Sequence, residues 1–533
     1  MTIAHKSLPR AKTPEEAGVS SQGIRDFLVA MDATGLELHS FMVLRRGIVA
    51  AECFRAPFQP EYRHQMWSVS KSFTSTALGF AVDEGLVSLD TPVADILEGY
   101  IPKKADARWP KLTLRHLVTM TAGKQPSFLS PKGPNADWVQ GYIDAPWYNE
   151  PGAEFRYINE NTYMICAALT RAAGMSVMDY LAPRLFGPLG IADSMWETDN
   201  RGIECGGWGY YCKTEDLAKF ILCYLNEGKF GGQQVIPAAW ARGAVRKHAD
   251  SNLFGVCHTY GYGMGFWRNA EGVGGWRAHG AFSQYGVALP EQDAIFICAA
   301  ATPEEDAVLD LVWKYIVPAL EDDTQPAARP LISGPIASSF EAPLRVSPRS
   351  PLEKTIDGRR IRLRHDLLLS LMHFPVASLP MIVTTKSANL PHQINDIILR
   401  FGGTEAKFSW REGPDLNQVL LGLDGGYREN RVRFNGQDFI MLGAGEWIDD
   451  STFTVRLRAI ETIECQQLTF TFKLKDRVVM RPQCSPSMQE VAGFLATGAA
   501  GFFKAPVVLK WIRRLLKITP FILEAKYSGR LMK

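Results

Sequence analysis

A helical stripe that begins directly after Ser68 constrains the fold of this chain more than any other feature. From residue 73 onward, apolar side chains recur at the spacing of one buried helix face, which predicts a helix ending near Gly85. The residues of this face are Phe73, Ala77, Phe80 and Ala81. Ser68 therefore lies at or just before the helix N-terminus, where backbone N–H groups lack partners within the helix. A hydroxyl group at such a position can attack a carbonyl carbon while nearby N–H groups bind the developing oxyanion.

Lys71 follows Ser68 at a spacing that places both side chains on one face of the predicted helix. Its nitrogen can lie beside the Ser68 hydroxyl, where it can lower the pKa of that hydroxyl or accept its proton. No other serine in the chain has a lysine three residues later. The Ser-x-x-Lys pattern occurs in acyl-transferring serine enzymes. A helix-capping serine followed by a solvated lysine would give the same pattern, so the motif alone leaves both interpretations open.

Length and composition narrow the class of protein. A chain of 533 residues is longer than the chains that usually fold around a single hydrophobic core, so we expect two or more domains. The net charge is +2, from 58 basic and 56 acidic residues, which does not indicate a nucleic-acid-binding protein. The nine cysteines have no repeated spacing and predict free thiols in a reducing compartment. The N-terminal residues lack the apolar core of a signal peptide, and no run reaches the ~18 apolar residues of a membrane-spanning helix, so we predict a cytoplasmic protein.

The pattern of elements divides the chain into four parts. Residues 1–320 have strands at both ends and helices between them, which predicts an α+β domain with an antiparallel sheet flanked by helices and a helical subdomain. Residues 321–352 are proline-rich and aperiodic and predict a linker. Residues 353–490 alternate apolar and polar side chains and predict a mostly β domain. Residues 491–533 predict a helical tail.

Five segments of the first domain have clear element signals. Residues 40–54 predict a β-hairpin, and residues 214–225 predict an amphipathic helix. Residues 284–289 and 294–300 predict two strands joined by a short turn. Residues 303–320 predict a helix that begins with acidic residues, where the helix dipole favours negative charge.

The tail contains a basic amphipathic helix over residues 504–523. Its basic residues share one stripe, with apolar residues on the opposite side. The basic residues are Lys510, Arg513, Arg514 and Lys517. Such a helix can bind peripherally to anionic lipid, or it can dock its apolar face on the protein itself. The sequence leaves both alternatives open.

Residues 124–148 are irregular and rich in aromatic side chains, glycine and proline. An aperiodic stretch of this length within a compact domain is usually a lid or a binding loop. We therefore predict that Trp138, Trp147 and Tyr148 contribute to substrate binding. The alternative is a surface loop whose aromatic side chains form a small core of their own.

A proton-transferring group is expected in the segment Tyr157-Ile158-Asn159. A tyrosine beside Lys71 could have its pKa lowered enough to act as a base. A second Tyr-x-Asn segment begins at Tyr224, on the apolar stripe of a predicted helix, where a core tyrosine is expected. Tyr157 lies between a turn and a helix start, so we prefer Tyr157.

The segment Ala278-His279-Gly280 supplies the remaining part of the predicted site. Gly280 allows a backbone edge to approach the substrate closely. The N–H groups of Ser68 and Ala281 could then form an oxyanion hole. His279 either lines the site or is a structural histidine, and the sequence leaves this open.

These three segments occur in the order of the three motifs of the serine β-lactamase and penicillin-binding superfamily. Over residues 10–320 the chain most resembles the class C-like branch, which includes family VIII esterases, D-aminopeptidases and 6-aminohexanoate-dimer hydrolases. The resemblance implies an antiparallel sheet with a helical domain. It also implies that Ser68 is the nucleophile, that Lys71 and Tyr157 handle the proton, and that Asn159 contacts a substrate amide or carbonyl group.

One departure from the superfamily concerns the third motif. Where β-lactamases and transpeptidases have Lys-Thr-Gly or a close variant, this chain has Ala278-His279-Gly280 and lacks the cation that helps to hold a substrate carboxylate. This favours small ester or amide substrates over β-lactams. We therefore predict a serine hydrolase that uses neither a metal nor a cofactor. The alternatives are a β-lactamase or D-aminopeptidase and a non-catalytic binding protein; the sequence does not predict the oligomeric state.

Overall fold

The computed structural model describes residues 6–101, 105–125, 137–251, 258–320, 344–364, 394–412, 415–434, 437–487, 490 and 527–532. The chain divides into two compact units, Met1–Ser338 and Ser339–Lys533. The division lies inside the segment 321–352 that the sequence predicts as a linker. The amphipathic helix predicted over residues 504–523 lies outside the described residues.

The first unit contains strands β1 to β11 and helices α1 to α11. The strands are β1 Leu38–Arg45, β2 Ile48–Phe54, β3 His64–Gln65, β4 Met195–Trp196, β5 Tyr210–Cys212, β6 Lys229–Phe230, β7 Gln233–Gln234, β8 Trp267–Arg268, β9 Trp276–Gly280, β10 Gln284–Leu289 and β11 Ala294–Ala300. The helices are α1 Ser21–Thr34, α2 Ser70–Asp83, α3 Val93–Ile96, α4 Leu114–Val118, α5 Trp138–Asp144, α6 Asn159–Ala173, α7 Val177–Leu181, α8 Gly187–Leu189, α9 Thr214–Leu225, α10 Ala238–Ala244 and α11 Glu305–Leu311.

The main sheet of the first unit has six strands in the order β2-β1-β11-β10-β9-β8, and its neighbouring strands are antiparallel. The two predicted hairpins, β1–β2 and β10–β11, are joined through the pairing of β1 with β11, in which Met42 lies opposite Ile297. The first and the last strands of this unit therefore meet in the centre of one sheet. This confirms the predicted antiparallel α+β architecture.

Both faces of the sheet are covered by helices. On one face, Phe27 of α1 packs against Phe41 and Phe296, with ring centroids 5.8 and 5.5 Å away, and aromatic pairs of this kind contribute about 0.5–1.5 kcal/mol each beyond their buried area. On the other face, α9 packs so closely that a Cβ atom at Gly286 would lie 2.5 Å from the Ile221 side chain. Helix α9 therefore fixes the position of helix α2, which packs against it.

Helix α2 packs against α9 through stacked rings of Phe73 and Phe220, whose centroids are 4.0 Å apart. The sequence predicts one buried face for α2, yet every residue from Ser70 to Ala81 is buried. The helix is enclosed because it lies between α9 and the helical subdomain, where α6 also packs against it. A central helix of this kind gives Ser68 and Lys71 a rigid base.

The segment 124–148 is only partly irregular. Trp138–Asp144 forms helix α5, whose first turn is capped by the Asp137 side chain accepting the N–H of Gln140. The prediction of an irregular loop is therefore wrong for this part, because an Asp cap and four buried side chains support a short helix. Residues 126–136 lie outside the described residues.

The second unit contains the short helix α12 and strands β12 to β21. The helix is α12 Glu353–Ile356, and the strands are β12 Arg360–Leu363, β13 Ile394–Phe401, β14 Glu405–Glu412, β15 Asp415–Gly422, β16 Arg428–Phe434, β17 Gln437–Asp449, β18 Thr452–Ala459, β19 Cys465–Lys473, β20 Arg477–Ser485 and β21 Tyr527–Leu531. They form one sheet in the order β15-β14-β13-β12-β21-β20-β19-β18-β17-β16, which closes through a pairing of β15 with β17. The predicted mostly β character of this unit is confirmed.

Strand β21 corrects the prediction for the end of the chain. The sequence predicts a helical tail over residues 491–533, whereas β21 pairs with β12 and β20 inside the sheet. Tyr527, Gly529 and Leu531 alternate with exposed residues and face the core, which is the period of a strand rather than a helix. Among the described residues, no helix is both long enough and apolar enough to cross a bilayer.

Candidate active site

Ser68 lies in a single 3₁₀ turn, Trp67–Val69, directly before α2. Trp67 has a φ angle of 48°, a left-handed conformation that L-residues with bulky side chains rarely adopt. Such strained residues tend to lie at functional sites because the surrounding structure must enforce them. The Ser68 side chain is half-buried, and its backbone N–H donates to none of the described residues. The predicted position of Ser68 at a helix start is confirmed.

Lys71 lies one turn further along, and its side chain is buried, with the residue 1% exposed. Its Nζ atom lies 2.8 Å from Ser68 Oγ, 2.7 Å from Asn159 Oδ1 and 2.7 Å from the carbonyl oxygen of Gly207. Burial lowers the pKa of Lys71 well below its ordinary value, and the negative charge of Glu160 opposes this only in part.

Three neighbours around one nitrogen suit a neutral amine. Its two N–H bonds can donate to the carbonyl oxygens of Asn159 and Gly207, which accept hydrogen bonds and cannot donate them. Its lone pair then faces Ser68 Oγ, so the amine can accept the serine proton. A neutral amine and an ammonium group can both make these three contacts, and the lowered pKa favours the neutral amine.

Tyr157 lies on the other side of the lysine, with its ring centroid 4.7 Å from Lys71 Nζ. Its hydroxyl faces Ser68 and Trp267, and both interactions favour the phenolate. Burial nevertheless raises the pKa of Tyr157, and these two interactions offset the rise only in part. The expectation that Lys71 lowers the pKa of Tyr157 is therefore wrong, because burial disfavours the phenolate anion and also favours an uncharged lysine. Tyr157 is a neutral phenol within reach of Ser68.

Asn159 is the first residue of α6, and its Oδ1 atom holds Lys71 in place. The residue is exposed at the site. The other Tyr-x-Asn candidate, Tyr224, is buried, and its hydroxyl lies 2.7 Å from Thr76 Oγ1 on the interior side of α2. The structure therefore places Tyr157 beside Ser68 and places Tyr224 in the core.

Gly280 ends strand β9 directly beside the turn that carries Ser68. A Cβ atom at this position would lie 2.3 Å from the carbonyl oxygen of Met66 and 3.2 Å from the Trp67 side chain. Only glycine fits without displacing one of the two backbone segments. Ala281 follows, and its N–H, like that of Ser68, donates to no other described residue. Two unpaired backbone donors thus lie on adjacent segments, as an oxyanion hole requires.

His279 is buried and hydrogen-bonded through both ring nitrogens. Arg277 Nε donates to Nδ1 over 3.1 Å, and Nε2 lies 3.1 Å from Glu305 Oε2. Because the guanidinium group only donates, Nδ1 must accept, and the histidine proton is on Nε2. The His279 ring is thus held by its neighbours, which favours the structural alternative at this position.

His258, His279 and Glu305 form the one group of potential metal ligands found among the described residues, with ligand atoms within 4.8 Å of one another. A metal bound to Nε2 of His279 would require a proton on Nδ1 and an acceptor facing it. Arg277 is a donor at that place. The three side chains therefore fit a hydrogen-bonded cluster better than a metal centre.

The sequence singled out neither His258 nor Glu305 as a site residue. Glu305 appears in the sequence only as one of three acids that begin a helix, an arrangement that the helix dipole explains. Glu305 is 26 residues from His279 in the sequence, so no local pattern predicts their contact. His258 has no neighbouring motif; its ring lies 4.5 Å from those of Trp267 and His279.

The predicted aromatic binding residues contact the protein scaffold. Trp138 is buried and stacks on Trp208 at 5.8 Å. Trp147 packs on Trp109 at 5.2 Å. Tyr148 lies 4.0 Å from the guanidinium group of Arg156, which directly precedes Tyr157. Their role in substrate binding remains a prediction.

Lys124 holds this aromatic segment together. Its Nζ atom donates to the carbonyl oxygens of Ile143, at 3.1 Å, and Ala145. It also lies 4.9 Å from the ring of Trp109 and 4.5 Å from that of Trp147. Burial lowers the pKa of Lys124 to about 8. Lys124 therefore connects the C-terminal end of α5 to the segment that contains the lysine.

The family to which this chain belongs is identified by a match within its first unit. A family model described as Beta-lactamase matches residues 36–320, which is more than half of the chain. The chain belongs to the beta-lactamase family. This membership confirms the resemblance that the three motifs predict, and it makes the chain a member of a family of hydrolases.

Three curated relatives illustrate the range of this family. The 6-aminohexanoate-dimer hydrolase of Paenarthrobacter ureafaciens is 23% identical over 303 residues, which cover 50% of this chain and 73% of that protein. The acyltransferase mokF of Monascus pilosus is 29% identical over 199 residues, which cover 33% of this chain and 48% of that protein. A beta-lactamase of Escherichia coli is 26% identical over 157 residues.

A solved structure supports the fold of this beta-lactamase family member. A protein of Bacillus anthracis that is assigned as a 6-aminohexanoate-dimer hydrolase superposes with a TM-score of 0.50 at 17% identity. The match covers 60% of this chain and 88% of that protein. At this level of identity the match shows the shared fold alone.

Proposed function

We propose that this protein is a serine hydrolase that cleaves an ester or amide bond of a small molecule through an acyl-enzyme on Ser68. The observation that carries the proposal is the 2.8 Å contact between Lys71 Nζ and Ser68 Oγ, made by a lysine whose two other neighbours are carbonyl oxygens. A buried amine in this setting can take up the serine proton, which is how a weak nucleophile is activated.

In the first half-reaction, Ser68 Oγ attacks the substrate carbonyl carbon and its proton moves to Lys71 Nζ. The N–H groups of Ser68 and Ala281 bind the negative oxygen of the tetrahedral intermediate. The neutral phenol of Tyr157 donates its proton to the leaving oxygen or nitrogen and regains one from Lys71. The bond to the leaving group then breaks, and the acyl group remains on Ser68.

In the second half-reaction, water takes the place of the departed group. Lys71, neutral again, accepts a proton from the water directly or through Tyr157 as the water oxygen attacks the acyl carbon. The proton returns to Ser68 Oγ as the acyl bond breaks, which releases the acid and restores the enzyme. No metal or cofactor is needed for either step, since every proton is carried by one of these side chains.

The substrate class follows from the third motif. Ala278 stands where related β-lactamases have a lysine, so this position supplies no cation for a substrate carboxylate. We therefore favour neutral esters and amides, in keeping with the relatives named 6-aminohexanoate-dimer hydrolase and acyltransferase mokF. β-Lactamase or D-aminopeptidase activity and a non-catalytic role in binding remain the alternatives.

A hydrolysis panel tests the proposal. It contains short p-nitrophenyl esters, linear amide oligomers, D-amino-acid amides and nitrocefin, each with the wild type and Ser68→Ala. Turnover of esters or amides that disappears in Ser68→Ala supports the proposal. Faster turnover of nitrocefin than of any ester or amide would favour the β-lactamase alternative, and no reaction with any substrate or acylating probe would favour a binding protein.

The cellular location belongs to the same proposal. We place the protein in the cytoplasm, with a peripheral membrane contact through residues 504–523 as the alternative. Co-sedimentation with anionic liposomes, using the wild type and a variant in which Lys510, Arg513, Arg514 and Lys517 are replaced by glutamine, separates the two. Lipid binding that is the same in both proteins would end the membrane alternative.

A further inference from the structure

The turn that follows Gly280 is strained. Phe282 and Ser283 have φ angles of 59° and 67°, so two successive residues with side chains adopt the left-handed conformation. Each such residue costs roughly 1–3 kcal/mol and persists only where surrounding contacts enforce it. The turn carries the Ala281 N–H, one of the two donors of the proposed oxyanion hole. The contacts that enforce the turn therefore also determine where this donor points.

Three side chains hold the turn. Gln284 Nε2 donates to the carbonyl oxygens of Ala281, at 3.2 Å, and Phe282, at 2.9 Å. Ser283 Oγ donates to a backbone carbonyl oxygen 3.0 Å away in the segment after β11. The Glu305 carboxylate faces the backbone N–H of Phe282, and this interaction favours the charged form of the carboxylate. Of these three side chains only Glu305 can change its charge.

Glu305 also holds the strand that leads into the turn. Its Oε2 atom accepts the Nε2–H of His279, which Arg277 fixes in this tautomer from the other side of the ring. The backbone of Glu305 is held as well, since its carbonyl oxygen accepts the hydroxyl of Tyr285 on β10 at 3.0 Å. One carboxylate therefore connects β9 to the strained turn.

We propose that Glu305 is a positioning residue of this site, which keeps the turn in the conformation that directs the Ala281 N–H toward the oxyanion formed at Ser68. The inference rests on the proposed hydrolase function and adds a residue to it. Glu305 acts through the turn and through His279, and it takes no part in bond making. Its loss should therefore slow acylation while leaving substrate binding nearly unchanged.

The ionisation of Glu305 gives this role a pH dependence. Burial raises the pKa of Glu305 to about 7, although the nearby positive charges of His258 and Arg277 oppose the rise. The titratable and charged groups around it are His258, Arg277, His279 and Asp306, with Tyr157 and Lys71 beyond them. A protonated carboxyl group has no negative charge and carries a hydrogen on one oxygen, which makes it a weaker acceptor of N–H bonds, so its hold on the turn weakens. The rate should therefore fall as the pH drops through about 7.

The test is Glu305→Gln in the full chain, assayed with a p-nitrophenyl ester across the pH range. The amide matches the carboxyl group in size but has one acceptor oxygen, like the protonated acid. We expect kcat to fall about 10- to 100-fold, less than the roughly 10²–10³-fold cost of losing an oxyanion donor outright. KM should change less than about threefold, and the pH limb near 7 should disappear.

Asp310→Asn is the matched control, because Asp310 is an exposed acid near the other end of the same helix. It should retain both the rate and the limb near pH 7. A Glu305→Gln variant with wild-type kcat and an unchanged limb would overturn the proposal. So would loss of the limb in Asp310→Asn together with its retention in Glu305→Gln.

A second measurement needs no variant that could fail to fold. In wild-type protein with ¹⁵N-labelled phenylalanine, the Phe282 amide resonance, assigned with Phe282→Leu, should titrate with a midpoint near 7. A resonance that stays constant through that range would contradict the inference. Labelling of wild-type Ser68 by a fluorophosphonate is measured in parallel: a labelled serine with an inert Glu305 refutes the positioning role alone, whereas an unlabelled serine refutes the hydrolase function.

Discussion

Gly280 and Met66 belong to segments distant in sequence, yet a single added carbon on Gly280 would lie 2.3 Å from the Met66 carbonyl oxygen. At this contact the end of β9 packs directly against the turn that carries Ser68. It is the relationship that brings the nucleophile and the second backbone donor together. The sequence predicts a close approach here because glycine ends the segment Ala278-His279-Gly280.

Gly280→Ala should therefore damage both stability and catalysis. Overpacking of this kind costs about 1–3 kcal/mol in the free energy of unfolding. Displacement of the oxyanion donor should lower kcat/KM by at least ~100-fold. Gly272→Ala is the control, because a Cβ atom there meets nothing within 4 Å. Denaturant titration and ester hydrolysis measure the two effects, and a Gly280→Ala enzyme with wild-type kcat/KM would show that β9 does not contribute to the site.

Lys71→Arg separates a proton acceptor from a fixed positive charge. Arginine stays protonated throughout the working pH range, so it cannot take the Ser68 proton. We expect kcat/KM to fall by about 10²–10⁴-fold at every pH. Lys219→Arg is the control, since Lys219 is equally buried but pairs with Asp216 at 3.1 Å on α9. A Lys71→Arg enzyme with more than a tenth of the wild-type activity would contradict the role of Lys71 as base.

The lowered pKa of Lys71 also predicts how the wild-type rate depends on pH. The neutral amine is the active form, so kcat/KM should rise with pH through the lysine pKa and then stay level. Because burial lowers that pKa well below its ordinary value, the plateau should be reached well below the ~10.4 of an exposed lysine. A rate that keeps rising up to that pH would indicate a solvated lysine and no activation of Ser68.

Tyr157→Phe removes a proton donor without changing the ring that covers Lys71. The leaving group then loses its proton source, and kcat should fall about 10²–10⁴-fold. Tyr262→Phe is the control: Tyr262 packs on Tyr157 at 5.9 Å, and its buried hydroxyl has no hydrogen-bond partner within the described structure. Steady-state kinetics with esters of different leaving groups measure the effect. Equal rates for both variants would exclude Tyr157 from proton transfer.

Lys124 should make stability depend on pH in a defined range. Its pKa is about 8 in the folded protein, below the 10.5 of a free lysine. Between these values the unfolded chain binds more protons than the folded one, so the free energy of unfolding rises with pH. Lys124→Met lacks this contribution. The stability of the wild type relative to Lys124→Met should therefore increase from about pH 8 to about pH 10.5, as followed by denaturant unfolding; a difference that is flat or decreasing would contradict the buried lysine.

Secondary structure was predicted most accurately where the spacing of apolar residues and the flanking turn residues indicate the same element. The strands 284–289 and 294–300 and the helix 214–225 are observed with the expected bounds. The helix predicted over residues 303–320 is split into α11, a π-helical turn and a 3₁₀ turn, because apolar spacing does not specify which hydrogen-bond ladder closes each turn. Strand β21 was missed because its partners are distant in sequence.

For the site, the sequence predicted which residues come together but not the directions in which their pKa values shift. Ser68, Lys71 and Tyr157 are brought together as the motif order suggests, yet the pKa of Tyr157 shifts in the opposite direction to the prediction. Burial causes that shift, and burial depends on the tertiary structure. Glu305 was missed for a related reason, since its partners on β9 become neighbours only in the folded sheet.

The most direct test of the account is the reaction of the folded protein with a fluorophosphonate, followed by peptide mass spectrometry. We predict one phosphonylated residue, Ser68, and labelling that is lost in Ser68→Ala and strongly slowed in Lys71→Arg. Ser70→Ala should still be labelled, because Ser70 Oγ already donates to the Trp67 carbonyl and accepts the Tyr210 N–H. A folded wild-type protein that is not labelled, or that is labelled equally when Ser68 is alanine, would contradict it.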